Sequence, residues 1–235
     1  MTGEDEVEEI IRAYETVVKG IYAKAVRGEG GRAYGGIVRA AMGELVPSIV
    51  DELTALAWKR LTNKADRFHI AGETFRIPIR REYVEKIANR EVRDHIESNI
   101  DKYFYDLDVD RVVRVDGSPA VAIECKAYTE NAMLKRVLED FTLLKGLHPN
   151  LDFMLVQLES QLGGDYSELR SPTFGSPSTH TLLSHFDIDL HIVTLLRGER
   201  KVDRPIHKKE FFKPLTRENI ENAVNVIEEI LKKYV

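Results

Sequence analysis

Cysteine, long apolar runs and an excess of positive charge are what this 235-residue sequence lacks. Its single cysteine, Cys125, excludes intrachain disulfides and a cysteine-ligated zinc cluster, and it indicates a reducing, cytoplasmic setting. No stretch approaches the roughly 20 apolar residues of a membrane-spanning helix. The acidic N-terminal segment also lacks the basic and apolar regions of an export signal. We therefore expect neither membrane insertion nor export.

The charge and the motif content narrow the functional classes further. A net charge of −5 argues mildly against a surface covered with nucleic-acid contacts, although a local basic surface is sufficient for binding. Walker-type phosphate loops, dinucleotide-binding glycine patterns and internal repeats are missing. The length and a hydrophobic content of 43% fit one well-buried α/β domain over residues 1–235. Within it we expect a helical N-terminal part (1–103), a core (104–160) and a C-terminal part (161–235) with a polar loop, a strand and a helix.

The stretch around which the chain is organised runs from Tyr105 to Tyr128, YDLDVDRVVRVDGSPAVAIECKAY. Its middle, Asp116-Gly117-Ser118-Pro119, has the composition of a tight turn, so the stretch predicts a β-hairpin. The second limb, AVAIECKAY, is apolar enough for a buried central strand, yet it carries Glu124 and Lys126. Charges are rare inside such a strand, and their presence indicates a functional role.

Folding the hairpin about its turn places Asp110 opposite Glu124 and Asp108 opposite Lys126. Because strand side chains alternate, all four are expected on a single face of the sheet. Carboxylates that converge on one point repel each other unless a cation lies between them, and hard oxygen ligands select Mg²⁺ or Mn²⁺ over Zn²⁺. A lysine beside the metal can orient an attacking water and stabilise developing negative charge, as phosphodiester hydrolysis requires.

These residues resemble the pattern of the PD-(D/E)XK nuclease superfamily, whose fold is that of type II restriction endonucleases. Glu124-Cys125-Lys126 matches the Glu-X-Lys part of that pattern. Asp110, fourteen residues before Glu124, is the best match to the lone acidic residue, and Asp108 is the second choice. The proline of the family name is absent here. The resemblance covers the middle of the chain.

The resemblance implies a Mg²⁺-dependent, sequence-specific endonuclease of double-stranded DNA, in which Mn²⁺ can substitute. It implies an α/β, restriction endonuclease-like core, with a mixed central sheet flanked by helices and an N-terminal helical elaboration. The metal ligands would be Asp110, Glu124, the backbone carbonyl of Cys125 and Asp108, and Lys126 would orient the attacking water. In many restriction endonucleases a helix before the hairpin adds a glutamate. Glu44 is the candidate here, and a plain exposed position on that helix is the alternative.

The long segments that flank the core favour a homodimeric restriction enzyme that cuts a palindromic site. A Holliday-junction resolvase or DNA-repair nuclease of the same superfamily is the first alternative. The length of this chain argues against a resolvase, since such resolvases are usually little more than the core. A non-catalytic DNA-binding relative is the second alternative. An exposed hairpin with solvated charges is the third.

Hydrophobic periodicity and turn residues predict the remaining elements. Helices are predicted over 4–27, 37–60, 80–103, 130–146 and 216–234, strands over 151–158 and 188–196, and a short hairpin over 67–79. The helix at 130–146, which lies between two buried strands, predicts a parallel β-α-β crossover.

The polar segment 159–180 is predicted to be a long loop, which in a compact domain is usually functional or disordered. Its arginine and short hydroxylic side chains suit base edges and phosphates, and Arg170 is the best candidate for guanine readout. The candidate DNA contacts are Arg170, Ser171, Thr173, Ser176 and Ser178. A mobile surface loop without this role is the alternative.

Overall fold

Five strands form one mixed sheet in the computed structural model, which describes residues 3–27, 34–164, 166 and 175–235. The strands are β1 (Phe68–Pro78), β2 (Phe104–Val115), β3 (Ser118–Glu130), β4 (Asp152–Gln161) and β5 (Leu190–Thr194). The helices are α1 (Gly3–Arg27), α2 (Tyr34–Leu61), α3 (Arg81–Val84), α4 (Arg90–Glu97), α5 (Asn131–Leu147), α6 (Pro177–Ser184) and α7 (Arg217–Leu231). The fold is therefore α/β, as expected.

The strands lie in the order β1-β2-β3-β4-β5, which puts β3 at the centre of the sheet. Strand β2 pairs antiparallel with both β1 and β3, whereas β3, β4 and β5 run parallel to each other. The predicted hairpin is β2 and β3, and its two-residue turn has positive φ angles of 50° at Asp116 and 77° at Gly117. Such a turn matches the right-handed twist of the strands. The predicted crossover is β3-α5-β4.

The two faces of the sheet are covered by different helices. On one face α2 packs against β3 and β4, α7 packs against β5 and α2, and α1 packs on α2, with fully buried residues such as Val18, Leu53 and Val224. On the other face α5 packs through Val137 and Phe141 against apolar residues of β2, β3 and β4. Burial on both faces explains why β3 and β4 read as nearly continuous apolar runs.

Two secondary-structure predictions in the N-terminal part were wrong. Residues 67–79 form the single strand β1 rather than a hairpin, because β2 is long enough to pair with β1 from Phe68 to Pro78. Residues 80–103 form the short helices α3 and α4 instead of one helix. Their buried residues are only Val84 and Ile96, which is too small an apolar face for one long helix.

The predicted loop over 159–180 is shorter in the structure. Strand β4 continues to Gln161, and α6 begins at Pro177. Of the candidate DNA contacts, Arg170, Ser171 and Thr173 lie outside the described residues. Among the residues that are described, no helix is both long enough and apolar enough to cross a bilayer.

Candidate active site

The site begins at a β-bulge between β1 and β2. Ala71 pairs with Val112 and Glu73 with Val109, so Gly72 alone lies opposite two residues, Asp110 and Arg111. A bulge of this kind interrupts the alternation of side chains along the strand and can redirect one of them. A Cβ at Gly72 would lie only 3.2 Å from the Asp110 carbonyl oxygen, so glycine suits this close approach.

Arg111 fixes the bulge to the neighbouring helix. Its Nε and Nη2 donate to Oδ1 and Oδ2 of Asp51 on α2, at 2.6 and 3.0 Å. Its Nη1 donates to the backbone carbonyl of Asp110 at 2.7 Å. The hydrogen bonds to Asp51 raise the pKa of Arg111 above its usual value. The ion pair with Asp51 therefore fixes the Arg111 side chain, which in turn holds the backbone of Asp110. Sequence reasoning did not identify this ion pair.

The structure brings together Asp110, Glu124 and Lys126. The backbone pairing of β2 with β3 reaches Arg111 and Ile123, and just beyond it the Asp110 Oδ2 accepts a hydrogen bond from the Cys125 N–H at 2.8 Å. Lys126 Nζ lies 3.8 Å from the same oxygen and also donates to Glu124 Oε1. Two carboxylates and one amine thus share a single contact group where the paired ends of β2 and β3 separate.

The electrostatics of this group are those of crowded, partly buried carboxylates. The Glu124 side chain is only 19% exposed, and burial is the main cause that raises its pKa. Lys126 lowers that pKa, while the negative charges of Asp110 and Asp140 raise it again, and the net direction is upward. A further positive charge at this point would stabilise the ionised form of Glu124.

Asp140 of α5 is an acidic neighbour that the sequence reasoning missed. Burial raises its pKa, and the positive charges of Arg136 and Lys126 oppose that rise. Its place in the sequence carried a usable signal, because it lies next to Phe141 and three residues after Val137, both of which pack on the sheet. A carboxylate at the border of a sheet-facing stripe lies close to the strand charges beneath it.

The donor set fits a hard divalent cation. No group of three or more histidine, cysteine, aspartate or glutamate side chains with metal-binding geometry occurs in the described part of the chain. Mg²⁺, however, is commonly bound by one or two protein carboxylates, with water and substrate oxygens completing its octahedron. Asp110 and Glu124 supply two such carboxylates. Thiolate chemistry is not expected, because burial raises the pKa of the Cys125 thiol well above its usual value.

Two other predicted acidic residues are placed elsewhere. Asp108 is exposed, and its Oδ1 accepts a hydrogen bond from Thr74 Oγ1 of β1 at 2.6 Å. Leu107 and Val109 on either side of it pack with α5, so alternation puts Asp108 on the opposite face. The expectation of one common face was therefore wrong for Asp108, because the bulge separates it from Asp110. Glu44 is exposed on α2, which is the alternative that the sequence left open for it.

Ser176 and Ser178 belong to a helix-capping network. The Ser176 hydroxyl accepts from the Thr179 N–H at 3.1 Å as the N-cap of α6, and it also contacts the hydroxyls of Ser178 and Thr179. Ser178 Oγ accepts from Asn131 Nδ2 at 2.9 Å. A hydroxyl offers one donor and two acceptor positions, so the three contacts of Ser176 use all of its capacity. The placement gives Ser176 a structural role.

Comparison with known proteins gives one full-length relative. No family model matches the sequence. The chain is 46% identical over 235 residues to the type II restriction enzyme DdeI of Desulfomicrobium norvegicum, with 98% of each chain covered. Among solved structures, the Bse634I restriction endonuclease aligns with a TM-score of 0.45 and 12% identity over 96% of this chain and 86% of that chain. The native BbvCI A2B2 tetramer aligns with a TM-score of 0.35 and 12% identity, covering 98% and 90%.

Proposed function

The chain belongs to the family of type II restriction enzymes, and from this premise we propose a Mg²⁺-dependent, site-specific endonuclease of double-stranded DNA whose active site is Asp110, Glu124 and Lys126. The observation that supports this assignment is the contact group itself. Lys126 Nζ lies 3.8 Å from Asp110 Oδ2 and is paired with Glu124 as well. The Glu-X-Lys tripeptide and the preceding aspartate, which match the family pattern in sequence, are thus also in contact through their side chains.

Asp110 and Glu124 would hold the divalent cation, together with the backbone carbonyl of Cys125. When bound, such a cation lowers the pKa of a coordinated water and offsets the charge of the phosphate. Asp110 is suited to this role because the Cys125 N–H and Arg111 fix its side chain and its backbone respectively. Glu124 is suited to it because partial burial makes its negative charge costly without a counter-ion.

Lys126 would orient the attacking water and stabilise the negative charge that develops on the phosphate oxygens. Its ammonium group is held between two carboxylates, so the charge is delivered at a fixed position. Hydrolysis then forms a bond between the water oxygen and phosphorus and breaks the bond from phosphorus to the leaving deoxyribose oxygen. The attacking water loses a proton and the leaving oxygen gains one. Asp108 and Glu44 are left out of this proposal because of where they lie.

The proposed assembly is a homodimer that binds a palindromic site, since a two-fold axis in the protein would match the two-fold axis of the DNA. The terminal helices α1 and α7 bury apolar faces against α2 within one chain. Sedimentation of the purified protein, alone and with DNA, tests the assembly. A mass of twice 26.8 kDa is the expected result. Sedimentation of a single protein chain, alone and on DNA that is nevertheless cleaved, would contradict the proposed homodimer.

Plasmid digestion tests the activity. We expect discrete fragments with Mg²⁺, the same fragments with Mn²⁺ and none with EDTA. Lys126→Ala and Glu124→Ala should abolish cutting. Lys135→Ala is the matched control, because Lys135 is an exposed lysine of α5 that pairs with Glu139 at 3.3 Å. Normal cutting by Lys126→Ala would overturn the proposed site. Degradation to a smear, or cutting of branched junctions only, would favour a repair nuclease or a resolvase.

A further inference from the structure

Arg200 is held rigidly at the ends of two central strands. Its guanidinium carbon lies 3.7 Å from the ring centroid of Tyr128, the residue that follows Lys126 by two positions on β3. Its Nη1 donates to the side-chain oxygen of Gln161 at 2.5 Å, and its backbone N–H donates to the Ser160 carbonyl at 2.7 Å. The residue is half-buried, and the contacts with Tyr128 and Gln161 fix the direction of its side chain, while the backbone bond to Ser160 fixes its position.

No carboxylate of the described residues neutralises the charge of Arg200. Two nearby carboxylates are paired with other cations, Glu199 with Lys201 at 3.4 Å and Glu159 with Lys213 at 2.8 Å. Within residues 3–27, 34–164, 166 and 175–235, no carboxylate forms an ion pair with Arg200. Among the described residues, the one side-chain hydrogen bond of Arg200 to protein is made by Nη1, which leaves N–H groups on Nε and Nη2 for a ligand.

Arg200 and Lys126 line the same cavity, which has a volume of about 540 Å³. Part of its wall is apolar and includes Met42 of α2 and Ile206. His207 also lines it, and burial together with the charge of Lys208 lowers the His207 pKa. The cavity therefore presents two cationic side chains beside the proposed cleavage site, and one of them, Arg200, has no partner carboxylate in the part of the chain that the structure describes.

We propose, on the basis of the function proposed above, that Arg200 binds a DNA phosphate adjacent to the scissile one and thereby positions the scissile phosphate at Lys126. Lys126 and Tyr128 are separated by roughly 6.6 Å along the strand, two residues at ~3.3 Å each. Phosphates of one DNA strand follow each other at about 3.4 Å along the helix axis, so the two cations match phosphates one or two nucleotides apart. The planar fork of an arginine is suited to paired hydrogen bonds with phosphate oxygens.

The test uses duplexes that contain the mapped cleavage site and one uncharged methylphosphonate, moved along the backbone one position at a time. Binding is measured with Ca²⁺ in place of Mg²⁺, for the unmodified protein and for Arg200→Ala. For the unmodified protein, one position next to the cut should weaken binding by about 10- to 100-fold, the strength of a charge-assisted hydrogen bond. For Arg200→Ala that penalty should disappear, and the slope of log K against log salt should fall by about 1.

Matched variants separate phosphate binding from a structural effect. Arg197→Ala removes an arginine of the same segment that is already paired with Glu218, and it should leave the methylphosphonate profile unchanged. Tyr128→Phe keeps the aromatic face under Arg200 and should behave as the unmodified protein, whereas Tyr128→Leu should lose part of the effect. Arg200→Lys keeps the charge but not the planar guanidinium, so the methylphosphonate should weaken its binding less than that of the unmodified protein and more than that of Arg200→Ala.

The outcomes distinguish this inference from the function on which it rests. If Arg200→Ala and the unmodified protein show the same methylphosphonate profile, Arg200 does not bind a backbone phosphate and the inference is overturned. That result would leave the active site untouched as long as Lys126→Ala remains inactive. Normal cutting by Lys126→Ala would instead overturn the active site, whatever the Arg200 profile shows.

Discussion

The Asp110 carboxylate accepts a hydrogen bond of 2.8 Å from the backbone N–H of Cys125, so the lone acidic residue is tied to the middle of the Glu-X-Lys tripeptide. This contact lies just beyond the paired part of β2 and β3, which reaches Arg111 and Ile123. The side-chain carboxylate of Asp110 thus accepts a hydrogen bond from a strand N–H close to where the backbone pairing ends. As a consequence, β3 itself sets the position of Asp110 relative to Glu124 and Lys126.

The first prediction separates the two aspartates that matched the family pattern. Asp110→Asn should lower the single-turnover cleavage rate by about 10³-fold or more, because a metal-binding carboxylate contributes several kcal/mol to the transition state. Asp108→Asn should change the rate by less than about threefold, since Asp108 is exposed and bonded to Thr74. Quenched-flow cleavage of a single-site duplex measures both. A comparable loss in Asp108→Asn would return Asp108 to the site.

The second prediction concerns the clamp behind Asp110. Arg111→Leu removes both the ion pair with Asp51 and the hydrogen bond to the Asp110 carbonyl, so the bulge is no longer fixed to α2. We expect a fall in the cleavage rate of about 10- to 100-fold, because small displacements of a reacting group cost about this much. Asp51→Asn should have a smaller effect of the same kind.

The control for the clamp is an arginine that makes a comparable ion pair away from the site. Arg67 pairs with Asp116 at the hairpin turn, at 2.7 Å, and Arg67→Leu should leave the cleavage rate unchanged. The double variant of Arg111 and Asp51 should be no worse than Arg111→Leu alone, since both act through one interaction. Additive losses would show that the two residues act independently, contrary to the clamp.

The hairpin and the charged tripeptide Glu124-Cys125-Lys126 could be predicted because their signals are local. Asp116 and Gly117 indicate the turn, and a charge inside an apolar strand is visible without any knowledge of tertiary structure. The register near Glu124 also depends on an irregularity in the pairing between Val113 and Arg114. The bulge at Gly72 could not be predicted in this way. A glycine between two short apolar runs indicates a turn as well as a bulge, and the length of β2 decides between them.

The ion pair of Arg111 with Asp51 was also beyond the sequence, since the two residues are sixty positions apart and lie on different kinds of element. Asp110 and Arg111 are adjacent in a strand and would point to opposite faces in regular geometry. At the bulge Asp110 contacts Cys125 and Lys126, while Arg111 contacts Asp51 and holds the Asp110 backbone. Asp108 was placed with Asp110 by the regular alternation that the bulge interrupts.

The third prediction follows from the pKa of Glu124, which burial raises. A group whose folded-state pKa lies above its unfolded value favours the folded state when it is protonated. This contribution is complete below the unfolded pKa and is lost as the pH rises through the folded pKa. At neutral pH without metal, Glu124→Gln should therefore raise the melting temperature by a few degrees while it abolishes cleavage.

Thermal unfolding in EDTA between pH 4 and pH 8 measures this effect. The difference between the unmodified protein and Glu124→Gln should shrink as the pH falls, because the carboxyl becomes neutral and resembles the amide. Added Mg²⁺ should raise the melting temperature of the unmodified protein and not that of the variant, since only the former binds the ion. A pH-independent difference, or equal stabilisation of both by Mg²⁺, would contradict the proposed metal-binding role of Glu124.

The fourth prediction tests whether Ser176 is structural or a DNA contact. Its hydroxyl caps α6 by accepting from the Thr179 N–H, and removal of such a cap typically costs about 1 kcal/mol. Ser176→Ala should therefore lower the free energy of unfolding in urea by about that amount and leave the ratio of cleavage at cognate and single-substituted sites unchanged. Ser184→Ala is the matched control, because its hydroxyl donates to the Thr181 carbonyl at the end of the same helix and caps no N–H group. A changed site preference without a loss of stability would mean that the Ser176 hydroxyl leaves its capping position when DNA binds and reads a base edge.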